Sequence, residues 1–133
     1  MALAAPRFQV RRHRAPWLAT ALTGAGIALL PWMAVLARTL PQTTEVSHWA
    51  TAWIGLDAMV AVALAGTGAL LRRGDPRVSL VAAATGALLV VDAWFDVTTS
   101  AGTGGQGMAL VLALAAELPL AALCATVAVR HSA

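Results

Sequence analysis

The sequence predicts an all-α membrane protein, a four-transmembrane-helix bundle with both termini cytoplasmic. Three observations lead there. Of 133 residues, 59% are hydrophobic types and 11% are charged, against about half and a quarter in an ordinary soluble domain. Four apolar runs, at 17–37, 50–71, 78–99 and 108–129, are each about 21 or 22 residues long, and a helix needs roughly 20 to cross a hydrocarbon core of ~30 Å. The arginines collect beside alternate ends of those runs. The chain thus divides into a basic tail at 1–16, a transmembrane domain at 17–129 and a short tail at 130–133.

The first run follows Arg7, Arg11, Arg12 and Arg14, with Trp17 placed for the cytoplasmic interface. It is too long for the apolar part of a secretory signal, usually 7–15 residues, and reads as an uncleaved helix. Pro31 should bend it. Arg38 and the Pro41-Gln42-Thr43-Thr44 stretch close it. The second run opens with Trp49 and Trp53, suited to the outer interface, and ends at Arg72 and Arg73. Gly74-Asp75-Pro76 makes a tight connection into the third run, and the uncharged, glycine-rich 100–107 leads to the fourth, where Pro119 predicts a second bend. Backbone groups in lipid must be bonded within their own segment, so each run is a helix; the runs are too long and lack the alternation of membrane strands. Gly24, Gly26, Gly66, Gly68, Gly86 and the alanines of the last run allow the close helix approach that a bundle in lipid requires.

Orientation comes from counting. Eight of the nine basic residues, all arginines, fall on one side of this topology, and Arg38 alone falls on the other. The positive-inside rule places the eight in the cytoplasm, and the composition suits a bacterial inner membrane. Net charge of +3 could suggest a nucleic-acid binder, but these arginines flank apolar runs and no stacking aromatics interleave with them. The partner is the bilayer, with a homo-oligomer or a larger membrane complex allowed. The one cysteine, Cys124, excludes an internal disulfide and any paired-cysteine metal motif, and its alanine-rich surroundings suit a small apolar side chain.

The acids carry the functional signal. Four of six lie inside spans, Asp57, Asp92, Asp96 and Glu117, with no arginine or histidine embedded beside them. An aspartate at a helix centre costs roughly 2.5–3.5 kcal/mol even on lower scales. Counted from the outer ends at 1.5 Å per residue, Asp57 and Asp92 lie about 10 Å deep, Asp96 about 4–5 Å and Glu117 about 13–14 Å. Asp92 and Asp96 stack on one face of the third helix, and Trp53 and Asp57 repeat that spacing on the second. The expected result is an acidic pocket open to the outside, with Trp53, Trp94 and Phe95 near its rim.

Such a cluster cannot remain fully ionised in a low-dielectric site. Some members hold protons, a bound cation compensates them, or Arg38 swings over the pocket. Asp57, Asp92 and Glu117 offer oxygen ligands for a divalent cation such as calcium, magnesium or manganese, and His48 could add a nitrogen that shifts preference toward zinc or iron. A solvated interfacial histidine is the plainer role for His48. The aspartates could also be structural, bonding Thr98, Thr99, Ser100 or a tryptophan N–H to lock helices together.

Trp53-Ile54-Gly55-Leu56-Asp57, Asp92-Ala93-Trp94-Phe95-Asp96 and Glu117-Leu118-Pro119 together resemble a group of small four-span membrane proteins from high-G+C, actinobacterial-type bacteria. The likeness runs from about Trp49 to Arg130. It implies a topology and supplies no chemistry.

Three functions compete: an acidic intramembrane pocket for a cation, proton or polar or cationic lipid-phase ligand; an intramembrane acid–base enzyme on a hydrophobic, terpenoid-like substrate; and an accessory subunit of a larger complex. The first accounts for most of the acids. Topology is directly testable. In a Cys124→Ala background, Thr103→Cys should react with a membrane-impermeant maleimide in intact cells. Asp75→Cys should react only after permeabilisation; the reverse pattern inverts the orientation.

Overall fold

The computed structural model describes residues 16–40, 43 and 45–132. The arginines of the N-terminal tail, and Pro41, Gln42 and Thr44, lie outside the described residues. Among those described, secondary structure is entirely helical. Helix α1 spans Pro16–Thr39 and runs unbroken through Pro31. Helix α2 is Trp49–Arg73, α3 is Val78–Thr99, and α4 is Gln106–Arg130. The α3 boundaries match the apolar run, whereas α2 and α4 extend past theirs by one or two residues at each end. Helices α2, α3 and α4 are each long and apolar enough to cross a membrane, and Ile54, Val62, Leu80, Leu114 and Leu123 present apolar side chains outward along their length. Helices apolar on every side belong in lipid.

Helix α1 belongs to one compact unit, and α2–α4 form a second, Val46–Ala133. Within the second unit, short connections make successive helices antiparallel. The turn after α2 is closed by Gly74 in the left-handed region (φ 63°), with its N–H on the Leu71 carbonyl at 3.2 Å and the Asp75 N–H on the Leu70 carbonyl at 3.1 Å. A side chain at Gly74 would strain that cap. Asp75 then accepts the Arg77 N–H at 2.9 Å and starts α3.

Helix α3 is central. It packs against both α2 and α4, whose backbones approach α3 more closely than they approach each other. Its buried residues Val78, Ala82, Thr85, Leu89 and Asp92 recur at alternating steps of four and three, the repeat that keeps one seam facing a partner helix. Gly86 and Ala93, one position on, widen the seam toward α4.

Three contacts fix the register. Thr67 Oγ1 of α2 and Thr85 Oγ1 of α3 share a buried hydrogen bond of 2.9 Å. Ser79 Oγ donates to the Ala128 carbonyl at 2.9 Å, joining the start of α3 to the end of α4. One residue beyond the Thr85 level, α3 and α4 make a close approach at Gly86: a Cβ there would sit 3.3 Å from the Ala121 oxygen and 3.4 Å from Cys124 Cβ. Cys124 is buried in this seam as a small apolar group. Arg72, Arg73, Arg77 and Arg130 all lie exposed at the same end of the unit.

Helix α4 is not uniform. Residues Gln106–Leu112 are α-helical, Ala113–Glu117 form a π-helical turn, and Leu118–Arg130 return to α-helix. The Leu118 N–H reaches back five residues to the Ala113 carbonyl. Pro119 accounts for it. Proline has no N–H, and in an α-helix its ring would press on the carbonyl four residues earlier, here that of Ala115. A widened turn makes room. The expected bend thus takes the form of an inserted residue.

Two substitutions separate close packing from mere small size. Gly86→Leu must displace backbone and should destabilise the unit by about 1–3 kcal/mol. Gly66→Ala, whose new methyl would meet its nearest neighbour at 3.9 Å, should change stability little. Unfolding of the purified variants in detergent measures both.

Candidate functional site

The π turn determines where Glu117 points. Ala109 and Ala113 are buried against α3, and an uninterrupted α-helix would next turn 116 and 120 inward. With one extra residue in the turn, the inward face continues instead through Glu117, Ala121 and Cys124: Ala121 is 7% exposed, whereas Leu120 is 37% exposed. Glu117 is half-buried, and its Oε2 is buried with no hydrogen-bond partner.

Asp92 meets it from α3. Six residues along α3 from Gly86 is Asp92, and six residues back along α4 from Ala121 and Cys124 is the segment 115–118. The carboxyl groups of Asp92 and Glu117 therefore share a level. Asp92 is 8% exposed, and its Oδ1 is likewise buried without a partner. Asp57 of α2 and Asp96 of α3 are close enough for their charges to act on both. The four sequence-predicted acids lie in the half of the unit away from the arginines. Asp57 is the exposed member and Asp96 is half-buried.

Layers bound this level on each side. Toward the arginine end, one turn away, Val60, Leu89, Ala121 and Cys124 form an apolar core with Leu64 and Leu88. Toward the opposite end lie aromatic rings: Trp53 and Phe95 have centroids 5.0 Å apart, and Trp49 packs on Trp53 at 5.7 Å and on Phe95 at 6.0 Å. Along the α2–α3 hairpin the order is aromatic, acidic, apolar, then the Thr67–Thr85 bond.

One sequence-predicted feature, Trp94 at the pocket rim, is placed differently. Trp94 is 65% exposed and lines a shallow apolar groove with Val90, Ala93, Leu110, Ala113 and Leu114. Two residues past Asp92, it is turned about 200° around α3 and away from the carboxylates. His48 sits exposed at the start of α2 with φ 60°. Among the described residues no group of three or more His, Cys, Asp or Glu side chains is arranged to hold a metal ion, so Asp57, Asp92, Glu117 and His48 do not form an assembled ligand set. The hydroxyl donors of the helix-locking alternative are turned to their own helix. Thr98 donates to the Trp94 carbonyl at 2.7 Å, Thr99 to the Phe95 carbonyl at 2.8 Å, and Ser100 to the Val97 carbonyl at 3.4 Å. Their protons are spent on their own helix.

Sequence reasoning missed the π turn and the seating it gives Glu117. The signal was available: small or polar residues Ala109, Ala113, Glu117 and Ala121 recur in three successive steps of four, which a regular seam with alternating fours and threes does not allow. No protein-family model, curated protein or solved structure matches the chain.

Buried oxygens without partners destabilise a fold by about 1–3 kcal/mol each. Asp92→Leu and Glu117→Leu should therefore raise the thermal unfolding midpoint in detergent. Carboxylates that served to lock helices would give the opposite sign.

Proposed function

We propose that this chain is a small multi-pass protein of the bacterial inner membrane that binds positive charge at an outward-facing acidic site within the bilayer. The four apolar runs support four crossings, and the arginine distribution supports both termini being cytoplasmic. The observation that carries the function is that two carboxyl oxygens on neighbouring helices, Asp92 Oδ1 of α3 and Glu117 Oε2 of α4, are each buried without a hydrogen-bond partner among the described residues. No arginine, lysine or histidine occurs within 49–71, 78–99 or 106–129 to neutralise them. Polar groups left in this condition are costly, and proteins retain them where function needs them. A proton or a cation arriving at this level supplies the missing partner.

The apolar layer of Val60, Leu89, Ala121 and Cys124 lies directly beyond the acids. It supports binding over passage through α2–α4, because an ion would lose its polar partners at that layer. In this reading Asp92 and Glu117 are the central ligands, with Asp57 and Asp96 adding negative potential.

A membrane-permeant carbodiimide reacts with carboxyl groups held protonated in lipid and provides the test. Dicyclohexylcarbodiimide should modify Asp92 or Glu117, identified by mass spectrometry of fragments, and a bound cation should slow the reaction. Glu117→Gln should remove most of the labelling or weaken that protection. Absence of modification at both positions at mildly acidic pH sinks the proposal.

A further inference from the structure

Resting on that reading, we infer that the acidic site is built for a lipophilic organic monocation, such as a quaternary ammonium or phosphonium, whose charge lies over Asp92 and Glu117 and whose apolar groups lie against Trp53 and Phe95.

Three features converge on this class. The first is the orphaned acid itself. Asp92 is more than nine-tenths buried with Oδ1 unpartnered, so the cluster has a defined point at which a positive group is missing. The second is the donor geometry. Among the described residues no three ligating side chains converge as a metal centre needs. Calcium requires six to eight oxygens at about 2.3–2.6 Å, and magnesium an octahedron at about 2.0–2.1 Å. Spaced carboxylates suit a cation whose charge is spread over a large radius.

The third is the aromatic wall. Trp53 precedes Asp57 by one turn on the same face of α2, about 6 Å along the axis. Phe95 follows Asp92 by three residues on α3. The Trp53–Phe95 contact at 5.0 Å therefore stands next to the acidic level, and Trp49 extends it toward the helix ends. A small hydrated ion gains little there, since the rings replace none of its water ligands. A weakly hydrated organic cation gains twice: cation–π attraction to the ring faces and burial of its alkyl or aryl groups. The apolar layer of Val60 and Leu89 then stops its descent.

Tetraphenylphosphonium is the probe, because its charge is permanent and cannot be confused with protonation. The purified full-length protein in detergent is examined by equilibrium dialysis against the labelled probe. Saturable binding is expected, at least tenfold weaker in Asp92→Asn and about fivefold weaker in Trp53→Leu. Trp94→Leu serves as the control, because Trp94 faces the other groove, and should bind as the unaltered protein does. Should Asp92→Asn fail to fold, the contrast between Trp53→Leu and Trp94→Leu still decides the matter.

Three results overturn the inference. If tetraphenylphosphonium does not saturate while magnesium or protons control carbodiimide labelling, the acidic site stands and its ligand is inorganic. If Trp53→Leu and Trp94→Leu bind equally, the aromatic wall takes no part. Saturable binding unchanged by both Asp92→Asn and Glu117→Gln, with no carbodiimide reaction, removes the site and the inference together.

Discussion

Hydrocarbon supplies no force that drives apolar helices together, so helices in a bilayer meet where their backbones can come close and their few polar groups can pair. In this chain that condition is met along one seam of α3. Gly86 lets α3 approach Ala121 and Cys124 until a methyl group would crowd the Ala121 carbonyl, and the Thr67–Thr85 and Ser79–Ala128 bonds tie α3 to α2 and to α4 on the arginine side of that approach. The acidic level depends on this register. Sliding α4 by one turn would carry Glu117 about 5 Å along the axis and away from Asp92.

The second determinant is a covalent one. Pro119 cannot complete an α-helical ladder, and the π turn at Ala113–Glu117 that accommodates it also resets which side of α4 faces α3. Before the turn the inward residues are Ala109 and Ala113; after it they are Ala121 and Cys124, with Glu117 at the junction. Turns of this kind occur often at functional sites. Here the reason is geometrical: one inserted residue brings an ionisable side chain to the interior without disturbing the packing of small residues on either side.

The energetic character of the unit follows from these two features. Its arginine-end half is ordinary membrane packing, with alanine, glycine, threonine and leucine in contact and hydroxyl protons satisfied. Its other half is locally unfavourable, with buried carboxyl oxygens lacking partners beneath a layer of rings. Unsatisfied buried carboxyl oxygens in an otherwise ordinary seam are the pattern expected where binding rather than stability decides the residues.

How much of this the amino-acid order determined can be judged element by element. Hydropathy and the 1.5 Å rise of a helix are local properties, so the span 78–99, the antiparallel order of the last three helices and the position of Asp57, Asp92 and Glu117 in the half away from the arginines all follow from the chain alone. The direction of each side chain around its helix is set by its neighbours and is less legible. Trp94 shares a motif with Asp92 and Asp96 yet faces another groove, because two helical residues point to nearly opposite sides. Which hydroxyls remain free to bond a carboxylate, and which carboxyl oxygens end without a partner, only the tertiary structure decided: hydrogen-bond satisfaction depends on the distance to the next helix, and in lipid that distance is set by packing rather than by any residue's own preference.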